Sequence, residues 1–62
     1  MTEEGKYKVS QAALRLKRAV DDLARLREDS KYYNITDDDM EIMLDIEDTA
    51  RDAAESLENI YG

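Results

Sequence analysis

The sequence predicts an all-α protein, an antiparallel two-helix hairpin that dimerises into a four-helix bundle. Three observations lead there. Proline is absent, and the two glycines, Gly5 and Gly62, lie near the ends, so nothing inside the chain breaks a long helix. In each half, apolar residues recur in alternating steps of three and four, the spacing that lines one stripe of a helix. A polar break at residues 30–36 separates the two halves.

Helix one is expected over about residues 8–31, because Val9, Ala12, Leu16, Ala19, Leu23 and Leu26 hold the a/d spacing of packed helices. Ala13 and Val20 widen that stripe, and Ser10 or the residues just before it supply the cap. A turn over about residues 32–36 follows. Helix two is expected over about residues 37–61, with the stronger start signal. Thr36 stands as N-cap before Asp37, Asp38 and Asp39, where the helix dipole favours acids. Ile35 and Met40 have the spacing of a hydrophobic staple across that cap. The second stripe then reads Met43, Ile46, Ala50, Ala53, Leu57, Ile60. Two helices of this length run about 35 Å each at 1.5 Å per residue. Matched lengths and a short connection make them antiparallel neighbours.

Sixty-two residues form one domain, 1–62, too small to stabilise itself easily. Such domains use disulfides, a metal or association to compensate. Cysteine and histidine are absent, which leaves association. Met40, Ile42, Met43, Leu44 and Ile46 nearly encircle the start of helix two, with only Glu41 and Asp45 between them. One partner helix cannot cover that circumference. These five residues are the expected homodimer surface or, alternatively, a surface that docks the chain as a structural or assembly subunit into a larger complex.

Charge supplies the functional clue. The net charge is −7, and it is unevenly placed. Residues 1–31 carry eight bases and six acids, whereas residues 32–62 carry one base and ten acids. Asp38, Glu41, Asp45, Asp48, Asp52 and Glu55 fall on one stripe of helix two. Like charges at this spacing repel, costing a few tenths of a kcal/mol per pair. Helix one, by contrast, interleaves its charges, with Asp21–Arg25, Arg18–Asp22 and Arg25–Glu28 at pairing distance along the helix. Arg15, Lys17 and Arg18 are further candidates to face acids of helix two. The stripe is the expected partner-binding face: a row of carboxylates able to occupy a basic, nucleic-acid-binding surface of another protein, as a small phage- or plasmid-type regulator or inhibitor would.

Other classes are disfavoured. Direct RNA or DNA binding through the bases of helix one (Lys6, Lys8, Arg15, Lys17, Arg18, Arg25, Arg27, with Lys31) is the second alternative, opposed by interleaved Asp21, Asp22, Glu28 and Asp29. No enzyme is expected, since the serines and threonines have no histidine or other activating base and no pocket-sized fold surrounds them. No cofactor and no metal site is expected. Asn34–Asp45 has oxygen-bearing side chains, but Asp39 stands where a calcium loop needs glycine. The Asn34-Ile35-Thr36 glycosylation triplet is read as chance, and Tyr32-Tyr33 as a plug for the bundle end. The polar N-terminus resembles no secretory leader and no apolar run approaches the ~20 residues of a membrane span, so a cytoplasmic location is expected.

Overall fold

A computed structural model describes residues 1–61. Two helices make up the fold, α1 (Glu3–Glu28) and α2 (Asp37–Tyr61), with no strand among the described residues. They are antiparallel: the inter-helix ion pairs join Lys17 to Glu58 and Arg27 to Glu47, so partner numbers fall on α2 as they rise on α1.

Helix α1 starts earlier than its apolar pattern indicates. Thr2 is the N-cap, its Oγ1 accepting from the Gly5 N–H at 3.0 Å, with Glu3 and Glu4 in the first turn. Ser10 is not a cap. It lies inside the helix and its hydroxyl donates back to the Tyr7 carbonyl at 2.7 Å. A capping motif needs no apolar residue, so the apolar stripe does not mark this start.

The helix also ends earlier than about residue 31. Past Glu28 the chain tightens, with the Ser30 N–H donating to the Arg27 carbonyl at 3.3 Å. Residues 29–34 continue as turns, and Asn34 stops them in the left-handed region at φ 60°. Ile35 N–H donates to the Ser30 carbonyl (2.8 Å) and Asn34 N–H to the Lys31 carbonyl (3.3 Å). These are the two reverse bonds of a Schellman closure. Asparagine, tolerant of this conformation, does here what glycine usually does, which is how the chain turns without an interior glycine.

The start of α2 is where the sequence places it. Thr36 Oγ1 accepts from the Asp39 N–H at 3.2 Å, and its carbonyl accepts from the Met40 N–H at 2.9 Å. Ile35 and Met40, either side of the cap, are both half-buried.

The seam differs from the expected one by a small rotation. Residues turned inward on α1 are Val9, Ala13, Leu16, Val20, Leu23 and Arg27; on α2 they are Met43, Glu47, Ala50, Ala54, Leu57 and Tyr61. Both sets keep strict three-four spacing. Half of the expected stripe is shared, but Ala12, Ala19, Leu26, Ile46 and Ile60 are exposed. Among the described residues the buried apolar ones are Ala13, Val20 and Ala54, and the largest fully buried side chain is that of Glu47. Two alanines and a valine are a thin core.

The overall dimensions agree. The surface is 4931 Å² for 7.2 kDa, where a compact monomer of that mass exposes about 4,100 Å². The Cα radius of gyration is 14.3 Å, against about 10.6 Å for a compact domain of this length. Neither helix is long and apolar enough to cross a membrane.

Candidate functional site: the faces of the hairpin

Glu47 and Ala54 face the seam. Asp45 and Asp52, two positions earlier, are therefore rotated by about 200° onto the outer side of α2. Asp38, Asp45 and Asp52 form one row there, and Glu41, Asp48 and Glu55 the next. All six carboxylates are exposed. Among the described residues Asp48 alone of the six has an ion pair, with the Arg51 guanidinium at 3.3 Å. The structure thus brings the six together on one outward face, held by a helix whose opposite side is packed.

Bases of α1 do little to neutralise that face. Lys6 pairs with Glu3 (3.7 Å) and Lys8 with Glu4 (3.4 Å) inside α1. The expected Asp21–Arg25, Arg18–Asp22 and Arg25–Glu28 pairs do not form, and all five residues are exposed. Of the three bases expected to reach α2, Lys17 does, bonding Glu58, and this holds its ammonium pKa above the ordinary lysine value. Glu58 lies outside the stripe.

The other cross-helix pair is internal. Arg27 Nε donates to Glu47 Oε2, and Arg27 Nη2 to Glu47 Oε1 at 2.8 Å, a two-pronged fit of guanidinium on carboxylate. The hydrogen bonds from Arg27 keep the Glu47 carboxyl below its ordinary pKa despite burial, and those to Glu47 raise that of Arg27. The pair occupies one heptad position on each helix. Apolar patterning missed it because both residues are charged. The available signal was a charged residue in each seam register, opposite in sign and facing across the hairpin.

Met40, Ile42, Met43, Leu44 and Ile46 do not form one surface. Met40 and Met43 are half-buried toward the seam. Leu44, 44% exposed, lines a shallow groove on one face beside Arg27, Asp37 and Glu41. Ile46, 51% exposed, lines the groove on the opposite face with Leu16, Thr49, Ala50 and Ala53. Ile42 lies one turn before Ile46 on that side and is 57% exposed. The reason is geometric: five residues spread around a helix cannot share a side, and the hairpin seam divides them.

Both grooves are open troughs between the two helices. Among the described residues no three acids are grouped to hold a metal ion. Tyr32 and Tyr33 stack edge to face at 5.0 Å, yet Tyr32 is 84% exposed, so that ring does not plug the hairpin end. Comparison with family models, curated proteins and solved structures returned no significant match.

Proposed function

We propose that this protein acts by stoichiometric binding rather than catalysis. The hairpin pairs with a second copy to form a four-helix bundle, and the bundle presents the outer carboxylates of α2 to a basic surface on a macromolecular partner in the cytoplasm. A protein whose basic cleft holds nucleic acid is the partner class that such a surface suits, and occupying the cleft would inhibit or regulate it. The observation that carries this reading is the row of six exposed carboxylates with one ion pair among them. Successive groups advance about 4.5–6 Å along the helix, a little wider than the ~3.4 Å charge spacing of one DNA strand.

The test is capture from the host lysate at low and high ionic strength, with the captured protein identified and then titrated. A carboxylate-driven complex should weaken steeply with salt. Affinity that is indifferent to salt would refute it.

A second reading has its own observation. Ile42, Ile46 and Ile60 are each more than half exposed, which favours a structural subunit docked through apolar contacts. That complex would survive high salt.

A further inference from the structure

Each helix carries two overlapping three-four repeats. One is the seam. The other consists of the residues that precede seam residues by one: Ala12, Ala19 and Leu26 on α1, and Ile46, Ala53 and Ile60 on α2. A step back of one residue is a rotation of about 100° in the same sense on both helices. Because the helices are antiparallel, that rotation brings both secondary stripes to the same face of the hairpin. A groove of about 370 Å³ lies on this face, joining Leu16 of α1 to Ile46, Ala50 and Ala53 of α2.

The geometry points to a second copy of this chain as the occupant of this face, related by a two-fold axis parallel to the helices, so that α1 of each copy packs antiparallel on α2 of the other. This rests on the self-association proposed above and specifies its surface and symmetry.

Area supports the occupant. The broad side measures 45 by 16 Å in Cα extent, so about 700 Å² per copy would be covered, within the range of a stable, standard-sized interface. Covering it also removes the excess surface of the isolated hairpin.

Charge selects the symmetry. Asp38, Asp45 and Asp52 edge this face on α2, whose single base, Arg51, points to the other side, where it lines a groove with Lys17 and Asp21. A two-fold axis perpendicular to the helices would set α2 against α2, acid row against acid row. The parallel axis instead sets each acid row against α1, which carries seven bases to five acids.

Shape agrees. Rotation about a parallel axis preserves height along the bundle. The pairs Lys17–Glu58 and Arg27–Glu47 put Leu23 and Leu26 level with Ala50. Leu26 of the second copy then descends into the groove floored by Thr49, Ala50 and Ala53, a large side chain over small ones. The seam and the second stripe together give each helix the wide apolar sector of a bundle.

The chain has no cysteine, so single thiols report cleanly. Ala19→Cys and Ala53→Cys place one thiol on each helix of this face, within about a turn of each other in height. The two variants are mixed, treated with a short bifunctional maleimide, and compared with each variant alone. Circular dichroism and sedimentation verify that both fold and associate as the parent does. The expected result is a cross-linked dimer made mainly of one variant with the other, with little product from either alone. Self-linking of Ala19→Cys as efficient as the mixed reaction would overturn the parallel axis. A dimer mass without cross-links would overturn the face, and a monomeric parent across micromolar concentrations would overturn the second copy. As a further measurement, Ile46→Asp should be monomeric and Leu44→Asp dimeric; the reverse would also overturn the face. None of these readouts involves the external partner, so loss of the carboxylate reading would leave them unchanged.

Discussion

Truncating Ile46 to alanine measures how much the grooved face contributes to self-association. The substitution removes three carbons, worth about 2.4 kcal/mol if their full burial is lost at ~0.8 kcal/mol per methylene. Ile46 is already half covered within the hairpin, with 51% exposure remaining. Only about half of that value, roughly 1.2 kcal/mol per copy, therefore belongs to dimer formation. Two copies lose about 2.4 kcal/mol, an increase of about 50-fold in the dimer dissociation constant. Leu44→Ala is the matched control: it also removes three carbons, from a residue 44% exposed on the opposite face. Its dissociation constant should remain near that of the parent. Sedimentation equilibrium over a range of concentrations reads both, with helicity followed by circular dichroism to separate folding from association. Equal weakening by the two variants, or none by Ile46→Ala, would refute the assignment of the interface.

Three further outcomes follow from the local structure. Thr36→Ala should cost about 1 kcal/mol in thermal or denaturant unfolding, because the Asp39 N–H loses its acceptor, while Thr36→Ser should be nearly silent. Asn34→Val should cost at least about 1 kcal/mol, since a β-branched residue resists φ 60°, and Asn34→Gly should be tolerated. Glu47 has a folded pKa lowered by Arg27, so its contribution is fully present above the ordinary glutamate pKa and lost as pH falls through the lowered value. Stability should thus decline on acidification below the ordinary glutamate range, and Glu47→Gln should flatten that part of the profile; an unchanged acid limb would contradict the pairing.

Helix content, the start of α2 and the pairing of two helices were legible because each has a local cause. Absent breakers, the Thr36 cap and the apolar repeats need no knowledge of the other helix. The seam was only half legible. Apolarity put Ala12, Ala19 and Leu26 in the stripe, Ala13 and Val20 at its margin and Arg27 outside it, because two alternative stripes run side by side and one contains a charge. The seam that forms carries the fit of Arg27 on Glu47, a contact between residues 20 positions apart. The same feature explains the Met40–Ile46 cluster. Its breadth around the helix was plain in the sequence, but its division between two faces depends on where the seam falls. The early start of α1 was missed because Thr2, Glu3 and Glu4 cap the helix without any apolar residue. The acidic stripe was legible as a set, since its rows follow from spacing on a helix.

The carboxylate face is tested most directly by reversing it while leaving the fold intact. Asp45→Lys, Asp48→Lys and Asp52→Lys together change the net charge from −7 to about −1 by adding six positive units. All three positions are exposed, and only Asp48 gives up an ion pair. Helicity should hold, since Glu41 and Glu55 gain opposite charges within a turn. Partner capture by this variant is compared with that of the parent and of Ile42→Ser with Leu44→Ser, all at matched folding. The account predicts that the charge-reversed protein loses the partner while remaining helical. Capture equal to the parent's would contradict it and leave the stripe a solvated surface.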